Sequence, residues 1–479
     1  MYVDPPLGEI KLKYDIGIIG AGPGGYVAAI RAAQLQRSVV LIEEANLGGV
    51  CLNWGCIPTK SLLKSAQLWG DLEKMSQHGI FVQGKTFDLQ KMVARSRQVS
   101  QTLSSGLQGL MKKHNVTVIK GRAHIEACFP NNILVQVSGL DIPFLEVENL
   151  ILATGAKPKH LPLDIPQSIR WNASAAMTPE FLPGRLLIIG AGAIGMEFGS
   201  FYQELGTKVT ILEQGPCILP CEDSECRDMA YKAFKEKGME FHLGMELLSA
   251  EVNQGKISAK MSCKDGSKVE LWNGCAQTDR ILVAIGVTGN VQNLGIEKTK
   301  VQVSQGHIVV NEMFQTLQPN IYAIGDVIGA PWLAHLASHQ GIACIEYIIT
   351  GKKHSIDPLS IPGCIYTLPP LASFGLTEEK ARKSHAVRIG RFPFSGNGQA
   401  LAQGSGSGLI KVIFEEDTGE LLGAHLFGQG SPELLSSLLV AKKLEATPEA
   451  LSDVIFPHPT MSEMLHEAVL SAQGRALHA

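Results

Sequence analysis

Short apolar runs that end on glycine recur along this chain of 479 residues, and two of them open the same pattern. Asp15-Ile-Gly-Ile-Ile-Gly20 reads as a buried strand. It runs into Gly20-Ala-Gly22-Pro-Gly-Gly25, an alanine-rich helix from Tyr26 to about Gln34, and a second apolar strand from Ser38 to Glu43. Leu186-Leu-Ile-Ile-Gly190 repeats the arrangement with Gly190-Ala-Gly192-Ala-Ile194-Gly195, a helix to about Leu205 and a strand from Lys208 to Glu213. In each copy an acidic residue stands 23 positions beyond the first glycine (43 − 20 and 213 − 190). Such runs, bounded by turn residues, predict buried strands, and the strand–glycine–helix–strand order predicts two βαβ units.

Three further apolar runs support parallel sheets. Leu150-Ile-Leu-Ala153-Thr154-Gly155 and Ile281-Leu-Val-Ala-Ile-Gly286 each close one nucleotide domain, and Thr316 to Asp326 predicts a strand with an acid at its tip. After Gly351 the pattern changes to short alternating strands, Leu409 to Phe414 and Leu421 to Phe427, with helices from Pro432 and from Thr460. The stretch Ser395 to Gly408 holds five glycines and reads as a flexible connection. The predicted fold class is α/β: two Rossmann-like dinucleotide-binding domains followed by an α+β domain.

The glycine pattern carries a chemical reason. The first glycine permits the tight turn, the second lets backbone approach a pyrophosphate, and the third allows close helix–strand packing. The helix N-terminus then offers free amides and the positive dipole end to phosphates. Glu43 and Glu213 can each accept hydrogen bonds from a ribose 2′-hydroxyl, and Glu213 would repel a 2′-phosphate, which favours NAD over NADP. One such fingerprint is weak evidence, but two with equal offsets are strong, and two nucleotide sites suggest a flavin dinucleotide beside a nicotinamide. Ligands of open parallel sheets bind at strand tips, so Asp326 reads as a contact to a polar cofactor chain; the bland alternative is a helix cap.

Composition narrows the classes. Apolar residues make up 45% of the chain and charged ones 18%, enough to bury several cores and to exclude disorder as the main state. Lys plus Arg total 42 and Asp plus Glu 45, a net charge of −3, and basic residues run no further than pairs, which argues against nucleic acid or an anionic membrane as partner. The longest apolar run, near Leu186, is interrupted by glycines and Glu197, so a spanning helix is not expected. Met1 to Asp15 lacks a signal pattern, and ten cysteines are too few for a disulfide scaffold, so the expectation is a soluble protein of the reducing cytoplasm without a metal. Cys217, Cys221 and Cys226 match no common zinc spacing.

Two cysteines stand apart. Gly48-Gly49-Val50-Cys51-Leu-Asn-Trp-Gly-Cys56-Ile-Pro-Thr-Lys60 follows the first acidic strand. In an undistorted helix residues five apart lie about 8.7 Å apart, too far for a disulfide, so Cys51 and Cys56 can bond only if the chain bends between them. Gly48, Gly49, Asn53 and Gly55 permit that bend, and Pro58 suits the first turn of the next helix. A pair near a flavin site suits thiol–disulfide exchange; the alternative is two buried thiols that never bond. Near the other end, Phe456-Pro-His458-Pro-Thr-Met-Ser-Glu463 offers a proton carrier and a carboxylate to orient it. Thr460 to Glu463 is equally a capping box, so Glu463 could simply start a helix.

With both fingerprints, the cysteine segment, Ile218-Leu-Pro220, Tyr366-Thr367, Gly375-Leu-Thr377 and His458-Pro-Thr460 in this order, the chain resembles the pyridine nucleotide-disulfide oxidoreductases over nearly its whole length. The resemblance is greatest to the branch that oxidises dihydrolipoamide carried on lipoyl domains of 2-oxoacid dehydrogenase complexes. It implies residues 1–150 and 281–350 as the FAD-binding parts, 151–280 as the NAD-binding domain, and 351–479 as a dimerisation domain. It implies FAD contacts at Gly20, Gly22, Gly25, Glu43, Gly49, Lys60, Gly121, Ala153, Thr154, Gly155, Asp326, Leu333, Ala334 and His335. NAD contacts fall at Gly190, Gly192, Ile194, Gly195, Glu197, Glu213 and Gly286.

The resemblance also implies roles. Cys56 would be the flavin-side thiolate and Cys51 the sulfur that exchanges with substrate. Lys60 would pair with Glu197 beside the flavin. His458, oriented by Glu463 and contributed by the second subunit of a homodimer, would remove the substrate thiol proton. Electrons would pass from dithiol to the cysteine pair, to FAD, then to NAD. Departures occur at Val50, Val287-Thr-Gly289 and Phe456. A sister branch that reduces glutathione disulfide is the alternative, though it would be expected to prefer NADP; a flavin-binding protein without turnover is the remote one.

Overall fold

The computed structural model describes residues 12–139, 144–162, 165–253, 256–263 and 278–478. Met1 to Lys11, and with them most of the stretch read as lacking a signal pattern, lie outside the described residues. The chain divides into two compact units: Met1–Ser61, Gln90–Lys159 and Gly286–Ile356 form one, and Leu62–Leu89, His160–Ile285 and Asp357–Ala479 the other.

The first unit is built on a seven-stranded sheet. Across it run Thr117–Lys120, Val39–Glu43, Leu12–Ile19, Leu145–Leu152, Ile133–Val137 and Ala123–Cys128, and Ile321–Ala323 also pairs with Leu145–Leu152. The pairs around Leu12–Ile19 are parallel, with Ile16 beside Val39 and Ile19 beside Leu152. Both faces of these central strands are buried, as their unbroken apolar runs predict: Leu150 and Leu152 point into one core, with Val40 and Ile133, while Ile151 joins Ile16, Ile18 and Ala28 in the other. The helix Pro23–Gln34 lies against the helix Ala334–Thr350. Glycine makes that crossing close, because a Cβ on Gly341 would come within 2.6 Å of the Gly24 carbonyl oxygen.

The second unit holds the repeat of this design and an antiparallel sheet. The strands Glu240–Leu243, Lys208–Glu213, Arg185–Ile189, Arg280–Val283 and Arg170–Trp171 lie in that order, all parallel. The other sheet orders Gly363–Ile365, Leu371–Gly375, Leu421–Gly428, Gly408–Glu415 and Val387–Pro393.

Three expectations need correction. Both glycine-rich helices start earlier than the apolar pattern suggests, at Pro23 and Ala193, because Gly22 and Gly192 already occupy the cap positions. Thr316 to Asp326 is not one strand: only Ile321–Ala323 is extended in the sheet, and Gly325–Ile328 closes a 3-10 turn. The strands expected to alternate do not, since Gly408–Glu415 and Leu421–Gly428 are buried at nearly every position. They are the inner strands of their sheet, with Ile413 and Leu422 packed on one face and Val412, Ala424 and Leu426 on the other. The glycine-rich stretch after Ser395 is also structured. It forms a 3-10 turn at Phe394–Gly396 and a helix at Gly398–Ala402, capped by Asn397, whose Oδ1 accepts the Ala400 amide at 2.9 Å.

Candidate active site

The two glycine turns are near-copies. Gly20 and Gly190 have φ of +102° and +104°, a region that favours glycine. A Cβ on Gly25 would meet the Gly20 carbonyl oxygen at 1.9 Å, and one on Gly195 would meet that of Gly190 at 2.0 Å. By contrast, nothing lies within 4 Å of where a Cβ would stand on Gly22 or Gly192. The first and third glycines are thus dictated by packing, while the middle one opens onto space before a helix N-terminus, where an anion can approach. Neither helix has a side-chain cap at this end.

Each acidic strand end then folds onto its own turn. Glu43 accepts the amides of Ala21 at 2.7 Å and Ala45 at 2.8 Å; Glu213 accepts those of Ala191 at 2.8 Å and Gly215 at 2.7 Å. Backbone amides therefore fix both carboxylates at the mouth of their turns. In the first unit a cavity of about 650 Å³ opens beside Glu43, reaching Trp54, Arg97 and Lys120. The Gly121 amide donates to the Glu43 carbonyl at 3.0 Å.

The cysteine segment stands against the first turn. A Cβ on Gly49 would lie 2.7 Å from the Gly22 Cα, and the Gly48 amide donates to the Ala21 carbonyl at 2.8 Å. Gly49–Trp54 is a short helix, Gly55 breaks it at φ −144° and ψ −112°, and Cys56 begins the helix Cys56–Lys74 with Pro58 in its first turn. The bend expected from the sequence therefore falls at Gly55, whose Cβ would come within 3.2 Å of the Cys51 Cα. Asn53 Nδ2 ties the first helix down by donating to the carbonyls of Leu47 and Gly49, both at 2.9 Å.

The break brings the two sulfurs together. A side-chain hydrogen bond to Cys56 holds the Cys51 thiol well above the usual thiol range, helped by burial and by the charge of Cys56; the Lys60 ammonium works against it. When one proton is shared, Cys51 keeps it and Cys56 carries the negative charge. Cys56 stands at a helix N-terminus, where the macrodipole favours that charge. Tyr26, on the first glycine-rich helix, is near enough to feel a charge on Cys51, and its phenol is raised mainly by burial.

Asp326 lies in the turn after Ile321–Ala323. Its carboxylate accepts no hydrogen bond from a described residue, and burial raises its pKa while His307 opposes the shift. A half-buried carboxylate left without a donor is a site made for one, so the helix-cap reading does not account for it. Leu333 precedes the helix Ala334–Thr350, whose N-terminus is likewise uncapped by a side chain; Ala334 and His335 form its first turn. Ala153, Thr154 and Gly155 continue from the central strand, and Thr154 exchanges bonds with Asn290: its Oγ1 donates at 2.8 Å, and Asn290 Nδ2 returns one at 2.9 Å to the Thr154 carbonyl. Gly286 turns at φ +96°, and Val287–Gly289 pairs with Ala156–Pro158 as a short antiparallel strand.

Lys60 and Glu197, expected as a pair, belong to different units. Glu197 is buried on the helix Ala193–Glu204, where its Oε1 accepts the Tyr366 amide at 2.9 Å, while Ile194 in the first turn is exposed.

His458 Nδ1 lies 2.8 Å from Glu463 Oε1, and Glu463 Oε2 accepts the Thr460 amide at 2.9 Å. The capping-box reading is half right. Glu463 makes its part of the box, but the Thr460 hydroxyl donates to the Pro457 carbonyl at 2.7 Å instead of capping, and the helix Glu463–Ala472 starts without a side-chain cap. The Thr460 amide, with the His458 ring, holds the Glu463 carboxyl below the usual range. An ionised carboxylate only accepts, so His458 Nδ1 must carry hydrogen, and Nε2 is left as a base facing solvent.

The sequence reading missed Asn290, Gln340, whose Oε1 accepts the Gly325 amide at 2.8 Å, and Lys411. None carries a local signal. Lys411 sits in an inner strand and is 1% exposed, with Asp223 at 2.8 Å and Glu378 at 2.7 Å. Among the described residues no cluster suits a metal ion, and no helix is long and apolar enough to cross a membrane.

Comparison with known proteins agrees with this geometry. Residues 14–341 match the family model described as pyridine nucleotide-disulphide oxidoreductase, and residues 361–469 match the dimerisation domain of that family. The chain is 43% identical over 468 residues to a dihydrolipoyl dehydrogenase of Zymomonas mobilis, covering 97% of this chain and 99% of that protein. It is 35% identical over 469 residues to mitochondrial dihydrolipoyl dehydrogenase 1 of Arabidopsis thaliana, covering 97% and 91%. Among solved structures, LpdA of Mycobacterium tuberculosis matches with a TM-score of 0.87 at 25% identity over 96% of this chain and 99% of that one. The HOCl-induced flavoprotein disulfide reductase RclA of Escherichia coli matches at 0.83 and 27%, over 95% and 99%.

Proposed function

Because the chain belongs to the pyridine nucleotide-disulphide oxidoreductase family, we propose that it oxidises dihydrolipoamide to lipoamide with NAD as acceptor, through a redox disulfide between Cys51 and Cys56 and bound FAD. The observation that carries the reading is the break at Gly55, which sets the two sulfurs in hydrogen-bonding contact on a segment packed against the first glycine turn.

The residues present fit FAD. Gly22 leaves room for a pyrophosphate at a helix N-terminus, Glu43 stands at the edge of a cavity large enough for an adenosine, and Asp326 offers an unpartnered carboxylate to a polar chain. They fit NAD in the second unit by the same logic, with Gly192 open and Glu213 fixed at the ribose end. In this reading residues 1–150 and 281–350 hold the flavin, 151–280 hold NAD, and 351–479 pair with a second copy. FAD, when bound, supplies a two-electron carrier between the cysteine pair and the nicotinamide.

The chain's own residues handle sulfur and protons. A substrate thiolate attacks Cys51 in the disulfide, the Cys51–Cys56 bond breaks, and the electron pair goes to Cys56. The second substrate thiolate then attacks the mixed disulfide, releasing cyclic disulfide and leaving Cys51 reduced, so one dithiol is oxidised for one disulfide reduced. His458 Nε2 takes the thiol proton, with Glu463 fixing the ring and favouring the imidazolium. The helix N-terminus and Lys60 favour the negative charge left on Cys56. His458 serves the cysteines of the partner copy in a homodimer, and the partner macromolecule is a lipoyl domain, in the reducing cytoplasm.

The test is steady-state turnover of dihydrolipoamide with NAD beside glutathione disulfide with NADPH. Faster dihydrolipoamide oxidation is expected. Faster glutathione disulfide reduction with NADPH would overturn the reading.

A further inference from the structure

The helix Glu463–Ala472 carries the same device twice. Glu463 and Glu467 lie one turn apart, and each holds a histidine through Nδ1 at 2.8 Å: Glu463 holds His458, and Glu467 holds His478 from the chain end. Glu467 also accepts the amides of Leu477 at 3.1 Å and His478 at 3.2 Å, so one carboxylate clips the tail back onto the helix with three bonds. It is nearly buried, at 8% exposure, while the His478 ring is 69% exposed. The third histidine of this segment, His466, is not equivalent, because its Nε2 meets the Ser452 carbonyl at 3.0 Å.

The tail and the His458 loop share a support. The His478 carbonyl oxygen lies 3.2 Å from where Gly396 would carry a Cβ, so only glycine lets the tail lie there without displacement. The next residue, Asn397, donates from Nδ2 to the Thr460 carbonyl at 3.0 Å, and the Thr460 amide binds Glu463. The charge of His478 also reaches the Glu463 carboxylate.

We infer that His478 is a positioning residue of the proton-handling pair His458–Glu463, its imidazole setting the charge balance at Glu463 through the clip on Glu467. This rests on the reading of His458 as the base given above. The groups that face His478 are Glu467 and Glu463 on the helix and, through Glu463, His458; the turn Phe394–Gly396 beneath it carries no titratable side chain. A protonated His478 keeps Glu463 an anion and opposes uptake of a second proton at His458, so the base stays available at lower pH.

The experiment is the pH profile of kcat/KM for dihydrolipoamide with NAD in the FAD-loaded full chain, for wild type, His478→Gln, His478→Lys and His458→Gln. For His478→Gln the acid limb is expected to move to higher pH by a few tenths of a unit, a loss of roughly two- to fivefold near pH 6, from one lost charge acting through solvent. His478→Lys, which retains a positive charge, is expected to keep the limb at or below its wild-type position. A His478→Gln profile that superimposes on wild type would overturn the inference. A His458→Gln variant that oxidises dihydrolipoamide at the wild-type rate would instead remove the reading on which it rests.

Discussion

His458 shows how little a residue needs in order to act as a base: a carboxylate on Nδ1, an open Nε2 and access to solvent. Glu463 supplies the first while its other oxygen secures the Thr460 amide, so ring and loop are set by one side chain. His458→Gln is expected to slow dihydrolipoamide oxidation by about 10²–10⁴-fold, the usual worth of general-base help, as measured by stopped-flow mixing with the dithiol. Glu463→Gln keeps a side chain that can still accept from the ring but loses the charge, and an intermediate loss of roughly 10–100-fold is expected in the same assay. At the cysteines the direction is equally definite. Cys51 holds the shared proton and Cys56 the charge, so Cys56→Ser is expected to abolish turnover.

The strand–turn–helix element was legible in the sequence because three glycines are each required by a different contact. Gly25 and Gly195 carry the closest approaches, about 2 Å from a backbone oxygen if a Cβ is added. Gly25→Ala is therefore expected to open the turn and release flavin, seen as a larger FAD dissociation constant in a titration of the apoprotein. Gly55→Ala tests the second device. Its Cβ would press on Val50 and Cys51, and a drop in dithiol turnover of tenfold or more is expected while FAD stays bound, since a misplacement near 1 Å costs about 10² in rate. What the sequence hid has a common cause. Asn290, Gln340 and Lys411 work across gaps of many residues and have no local pattern, and strands buried on both faces look alternating when only a few polar positions interrupt them. Glu463 was ambiguous for the opposite reason: one residue performs both of the jobs that the sequence offered as alternatives.

At the scale of the molecule, the second unit is fastened by charge as well as by its cores. Lys411 is 2% exposed at its side chain and meets Asp223, Glu225 and Glu378, while Arg391 meets Glu225 and Glu378. Burial pulls the Asp223 and Glu378 carboxyls upward, but the hydrogen bonds from Lys411 and the surrounding positive charges hold both below the usual carboxylate range. Groups lowered on folding contribute stability above their unfolded values and lose it as pH falls through the folded ones. Lys411→Met leaves acids buried without their cation, and a loss of about 3–5 kcal/mol is expected in urea unfolding at pH 7. The difference from wild type should shrink as the pH drops below about 4, where the carboxylates take up protons. An equal deficit at both pH values would show that the lysine acts through packing alone.

The sulfurs of residues 51 and 56 must join and part with each turnover, and peptide mapping reads this most directly. The purified protein is alkylated under denaturing conditions as isolated, and again after anaerobic addition of one equivalent of dihydrolipoamide, and the tryptic peptide Ser38–Lys60 is weighed. The expected result is an unlabelled, internally bonded peptide at first and two labels after the dithiol. Two labels on the oxidised protein, or none after reduction, would contradict the account.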